Sequence, residues 1–153
     1  MVRQIECGVD DAVAAILADQ AMTVVGEYLN LAESLTDDRR AWWVKRFRGI
    51  GFTFDGRPAS PPPVPLVLYR GATDVGRFGL SWSLNPAVAE WFARVRGGAV
   101  WACVVPPERV LAWIDEGFGD QQVRGVEVVA DVEGLVLVRA DDLRDRSLNV
   151  AGA

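Results

Sequence analysis

Residues 58–71 read Pro-Ala-Ser-Pro-Pro-Pro-Val-Pro-Leu-Val-Leu-Tyr-Arg-Gly, and the periodicity of the chain changes across them. Pro58, Pro61, Pro62, Pro63 and Pro65 each fix φ and withdraw a backbone donor, so residues 51–65 are predicted to be an extended, Pro-rich connector. Upstream, residues 9–50 carry helical spacing. Asp10 or Asp11 can cap a segment with Val13, Ile16, Leu17 and Ala21 on one face. Thr23 can cap a second, with Val25, Tyr28 or Leu29, Ala32 and Leu35, and Thr36 a third. In the third, Trp43, Phe47 and Ile50 share one face at i, i+4 and i+7. Three short helices are expected.

Downstream the period becomes that of strands, at 66–70, 80–83, 99–105, 110–114 and 126–130, with 135–138 following a turn at Gly134. One helix interrupts them over 86–96. Asn85 is a good N-cap, Pro86 sits where its missing N–H costs nothing, and Gly97-Gly98 ends it. Segregated rather than alternating elements imply an α+β fold. The expected arrangement is a helical lobe (9–50) packed on a split, mostly antiparallel β core of two sheets (66–140), with a tail over 141–153. All 153 residues form a single domain.

Composition narrows the chemistry. The chain has no histidine, so Ser-His-Asp and Cys-His nucleophile pairs and H-E-x-x-H zinc sites are excluded. Carboxylates, hydroxyls and arginines must carry any reaction, and no metal site is expected. Two well-separated cysteines, Cys7 and Cys103, read as reduced thiols. A net charge of −5 argues against a general nucleic-acid footprint. The segment around Glu6, Asp10 and Asp11 resembles neither a leader nor a membrane span, so a cytoplasmic protein is expected. Arginine outnumbers lysine 15 to 1, a bias expected of GC-rich coding in a bacterium or its phage.

Three polar sites interrupt apolar strands: Arg70 after 66–69, Ser81-Trp82-Ser83, and Glu127 before Val128 and Val129. A buried arginine or glutamate costs several kcal/mol unless it is paired or lines a cleft. With period two, Ser81 and Ser83 face one way and Trp82 the other, so both hydroxyls can line a site while the indole packs. Each also has a plainer structural role: a strand-end ion pair for Arg70, turn or edge positions for the serines, a solvent-facing edge position for Glu127. The stretch Arg39, Arg40, Trp42, Trp43, Lys45, Arg46 and Arg48 reads as a core stripe with solvated basic flanks, or as help for an anionic ligand.

Tyr69-Arg70-Gly71, Leu80-Ser81-Trp82-Ser83 and Gly125-Val126-Glu127-Val128-Val129, in that order and with a helix after the serines, resemble the Arg-Ser-Glu class of the ADP-ribosyltransferase fold, typified by cholera-toxin-like and clostridial-toxin-like enzymes. The resemblance implies an NAD-dependent mono-ADP-ribosyltransferase that modifies a protein acceptor, or an NAD glycohydrolase with the same site. Glu127 and Ser81 are the implied catalytic pair, and Arg70, Gly71, Ser81 and Ser83 the implied NAD-binding set. Phe118 and Gln122 are implied in acceptor recognition, from the loop before Glu127. A transferase of this class usually carries Glu or Gln at the position of Gly125, so water is expected to compete with the acceptor. The alternative is a non-catalytic binding module on the same scaffold, as a phage would use against host or defence proteins.

That chemistry suits the residues. Cleavage of the nicotinamide–ribose bond passes through an oxocarbenium-like state that a carboxylate stabilises. Nicotinamide leaves as a neutral base, so no histidine acid is needed. The cleft is expected between the Arg70 and Glu127 strands, with residues 71–79 as a mobile loop beside it.

Overall fold

The computed structural model describes the backbone of residues 2–29, 36–115 and 126–143, and side chains over 13–28, 36–115 and 126–143. The chain is a mixed α+β fold in which an N-terminal pair of helices, α1 (Val2–Leu29) and α2 (Asp37–Ile50), precedes the sheet. The sheet strands are β1 (Thr53–Phe54), β2 (Arg57–Pro58), β3 (Leu66–Ala72), β4 (Ser81–Ser83), β5 (Ala99–Val105), β6 (Val110–Ile114), β7 (Glu127–Ala130) and β8 (Val138–Arg139), with α3 (Pro86–Arg96) between β4 and β5.

The expected break at Thr23 does not exist. Thr23 Oγ1 donates to the Asp19 carbonyl at 2.9 Å, one turn back, so the hydroxyl serves the helix interior instead of capping a new start. Asp10 and Asp11 likewise lie within α1. Only the last part of the described face is buried: Ala21, Val24, Val25 and Tyr28 pack inward, whereas Val13, Ile16 and Leu17, expected on the core face, stand about half-exposed.

Thr36 does cap α2, its Oγ1 accepting from Arg39 N at 3.3 Å, with Asp37 and Asp38 in the first turn where the helix dipole favours them. Trp43 and Phe47 are buried on the predicted face. Thr36→Ala is therefore expected to cost about 1 kcal/mol of stability, read as a lowered urea midpoint.

The connector is not wholly extended. Residues 53–58 form a hairpin whose two-residue turn, Asp55-Gly56, has φ of 50° and 78°, the positive pair that a tight hairpin needs. Its first strand runs parallel to β6, with Thr53 opposite Ala112, and the turn is tied down by Asp55 Oδ1, which accepts from Asp115 N at 2.7 Å.

One eight-stranded sheet, in the order β2-β1-β6-β7-β4-β3-β5-β8, replaces the two sheets expected, and every pairing but β1–β6 is antiparallel. Its middle joint is thin: β3 meets β4 in register only at Tyr69 and Ser83. The last strand is shifted from the expected 135–138 to Val138–Arg139 and pairs with β5, after the turn at Gly134.

Alternation sorts the core into two apolar clusters. Val128 and Ala130 join Leu68, Trp82, Trp101 and Val105, whereas Val129 joins Leu80, Leu111 and Ile114 beneath Val24, Val25, Tyr28, Trp43 and Phe47 of the helices. Helix α3 follows its capping signals closely. Asn85 Oδ1 accepts from Ala87 N, and Gly97 ends the helix in the left-handed conformation. Its buried Ala89 and Ala93 press onto β3 where Gly71 leaves room, since a Cβ there would sit 2.0 Å from the Ala89 carbonyl oxygen.

Candidate functional site

Three adjacent strands carry the three singled-out residues: β3 bears Arg70, β4 bears Ser81 and Ser83, and β7 bears Glu127. The serine strand lies between the other two, so the expected cleft between the Arg70 and Glu127 strands is spanned by β4. Ser83 pairs directly with Glu127 and Ser81 with Val129, which puts both serines on the Glu127 face.

Glu127 is buried, 7% exposed, and not the solvent-facing edge residue of the plainer reading. Tyr28, from the last turn of α1, donates its hydroxyl to Glu127 Oε1 at 3.3 Å. Oε2 is buried without a hydrogen-bond partner among the described residues. Burial raises the Glu127 pKa above the ordinary 4.5, opposed by the Ser81 and Tyr28 hydroxyls and by the positive charge of Arg70. The Ser81 hydroxyl thus acts on the carboxylate, although of these interactions only the Tyr28 contact has full hydrogen-bond geometry. Tyr28 itself is held far above its ordinary pKa, first by burial and then by the Glu127 charge, so it is a neutral donor at any working pH.

Arg70 behaves as a scaffold. Its Nε donates to the Gly76 carbonyl and its Nη1 to the Ser81 carbonyl, both at 2.9 Å. Gly79 lies directly over Nη2, since a Cβ at that glycine would be 2.2 Å away. Register opposite Trp101 sets the base of Arg70 on the face away from Ser83 and Glu127, so its link to the carboxylate is through its field rather than by contact. Burial and the neighbouring Arg96 lower its pKa to about 10, and Tyr28 and Glu127 oppose that. Arg70 makes no carboxylate ion pair among the described residues, and its two carbonyl bonds order residues 76–81. Arg70→Ala is therefore expected to destabilise the fold by about 2 kcal/mol, the scale of two lost charge-assisted bonds, measured by urea unfolding.

Residues 71–79, expected as a mobile loop, begin inside β3, and the remainder is pinned at several points. Besides the Arg70 bond, Gly76 N donates to Thr73 O, Arg40 Nη1 donates to Phe78 O, and Trp82 Nε1 donates to Gly79 O; Val75 stands nearly fully exposed. Ser83 Oγ accepts from Asn85 N at 3.0 Å, which commits it to the turn entering α3. Gly71 faces the α3 backbone. Of the expected NAD-binding set, Ser83 lies opposite Glu127 but is engaged by Asn85, and Ser81 is the one whose hydroxyl acts on the Glu127 carboxylate.

The other carboxylates near β7 have separate work. Asp131 is ion-paired with Arg48 and Arg109 and accepts from Glu133 N. In the basic-aromatic stretch, Trp43 and Phe47 are core, while the exposed Trp42 is flanked by the guanidinium groups of Arg39 and Arg46. Cys103 is a buried free thiol. Phe118 and Gln122, expected in acceptor recognition, and Gly125 lie outside the described residues, as does the side chain of Cys7.

An open groove of about 550 Å³ runs between α1 and α2, bounded by Ile16, Asp19, Gln20, Thr23 and Arg46, and none of Arg70, Ser81 or Glu127 lines it. Among the described residues no cluster of Cys, Asp and Glu is placed to hold a metal ion, and no helix is long and apolar enough to cross a membrane.

The participant that sequence reading missed is Tyr28. It was read only as an apolar helix position, and its partner lies 99 residues away, so no local spacing could mark it. Comparisons with protein-family models, with curated proteins and with solved structures found no match to this chain.

Proposed function

We propose that the chain is an NAD-dependent mono-ADP-ribosyltransferase acting on a protein acceptor, or an NAD glycohydrolase using the same site. The observation that carries this reading is Glu127: a buried carboxylate with one oxygen held by Tyr28 and the other without a hydrogen-bond partner among the described residues, on a strand paired with the Ser81 strand, which is paired in turn with the Arg70 strand. Burying a half-satisfied carboxylate costs stability, and such groups concentrate where chemistry needs them. Oε2 would accept the hydrogen bond of a ribose hydroxyl and stabilise positive charge as nicotinamide departs. Ser81 would steady the carboxylate, and Arg70 would shape the site by ordering 76–81 while its field opposes the upward push of burial on the Glu127 pKa. An acceptor side chain, or water in its absence, would then take the ribosyl carbon. The test is incubation with NAD labelled in the adenylate portion and with a cell lysate, which should yield a labelled protein band; labelled nucleic acid alone would overturn the acceptor class.

Enclosure favours a second reading, a non-catalytic binding module. Glu127 is almost wholly covered, Arg70 spends Nε and Nη1 on backbone carbonyls, and the groove between α1 and α2 lies elsewhere. On this reading calorimetry finds no NAD binding.

A further inference from the structure

We propose that Tyr28 is a positioning residue for Glu127, fixing Oε1 so that Oε2 alone is offered to the ligand. This rests on the reading of Glu127 as the reactive carboxylate. The tyrosine is placed rigidly. Its ring meets Trp43 edge-on at 5.6 Å and Phe47 edge-on at 5.2 Å, and all three sit in the core cluster that joins the helical pair to β6 and β7. A glutamate side chain has three torsions before its oxygens. A donor anchored in the core removes that freedom, and held geometry is a large part of what a site contributes to rate. Toward the carboxylate the hydroxyl is the donor, because burial and the adjacent carboxylate keep the phenol protonated.

The bond also bears on the charge state of the carboxylate. Among the described residues Glu127 is faced by Tyr28 from α1, by Ser81 from β4 and by the field of Arg70 from β3, while its neighbour across β6, Ile114, is apolar; Arg96 of α3 acts on Arg70. A donated hydrogen bond favours the ionised form, so Tyr28 opposes the upward push of burial. Removing it raises the Glu127 pKa.

Tyr28→Phe keeps the ring and deletes only the hydroxyl. NAD hydrolysis is expected to fall about tenfold in kcat, the scale of one bond to a charged group, with KM changed by no more than about twofold. The acid limb of the pH–rate profile should move to higher pH, which a packing defect would not cause. The same shift is read without NAD by carbon-13 NMR titration of the Glu127 carboxyl, assigned by its loss in Glu127→Gln. Replacing both tyrosines, Tyr28 and Tyr69, by the more acidic 3-fluorotyrosine supplies a second arm, which should move that titration the opposite way and needs no deletion. An unmoved Glu127 titration in both variants overturns the role of Tyr28. Absence of NAD turnover in the wild type overturns the enzyme reading instead, so the two failures are distinguishable.

Discussion

Replacing Glu127 by glutamine is expected to lower nicotinamide release from NAD by at least ~10²-fold, the scale of losing one transition-state stabiliser, while leaving NAD affinity little changed. Glutamine keeps the shape and an oxygen for the Tyr28 hydroxyl but removes the charge that answers the oxocarbenium-like state. Unlike most losses of function, this one should come with a gain in stability. Burial raises the Glu127 pKa in the folded chain, so between the ordinary value of 4.5 and the raised one the native state binds the proton more tightly than the unfolded state. The stability it contributes is full below 4.5 and is lost as pH rises through the native pKa. Glu127→Gln removes that loss and should be the more stable protein at neutral pH by about 1 kcal/mol, the scale of relieving one incompletely paired buried group. Urea unfolding of both proteins across that pH range, beside a nicotinamide-release assay, reads both effects. Wild-type turnover in the variant would not be rescued by the nearest alternatives. Asp131 is held by two arginines, and Glu133 is exposed in the turn beyond it.

Gly71→Ala is expected to be the most damaging small substitution. The added methyl would lie 2.0 Å from Ala89 O and 2.4 Å from Ala93 N, both backbone atoms of α3, so no side-chain rotation can relieve the overlap. The helix would have to lift from β3, and the expected cost is about 3 kcal/mol or more, as for severe overpacking in a core. The urea midpoint should fall accordingly. A variant as stable as the wild type would show that α3 does not pack where the structure puts it. The glycine after Arg70 was read from sequence as part of an NAD-binding set. Its surroundings give it a different job: it admits a helix to within backbone contact of β3.

Local signals were legible wherever the chain both states and obeys them. The proline run separates the helical part from the strands, Asn85-Pro86 and Gly97 bound α3 as expected, and the 99–105 and 110–114 strands appear with the bounds read from periodicity. The Asp55-Gly56 hairpin carried an available signal, the Asp-Gly pair of a two-residue turn, masked by the prolines that follow. Thr23 misled because a threonine hydroxyl satisfied by its own helix looks, in sequence, like one that starts a helix. The joining of all strands into one sheet depends on pairings such as β1 with β6 and β8 with β5, between residues tens of positions apart, on which periodicity is silent.

The candidate site divides the same way. Ser81 and Glu127 were singled out because polar residues on apolar strands are costly, and the structure does bring their strands together. Arg70 was singled out for the same reason, but its cost is met by two backbone carbonyls, which no sequence pattern announces. Tyr28 reaches Glu127 only because α1 runs unbroken to Leu29 and delivers its last turn onto the sheet.

The central claim is that Glu127 works on the nicotinamide–ribose bond of NAD. The most direct measurement is release of free nicotinamide from nicotinamide-labelled NAD by the purified chain, without any acceptor, beside Glu127→Gln. The account predicts slow hydrolysis by the wild type and at least ~10²-fold less by the variant. No release by the wild type, together with no NAD binding by calorimetry, would contradict it and leave the binding module as the function of this fold.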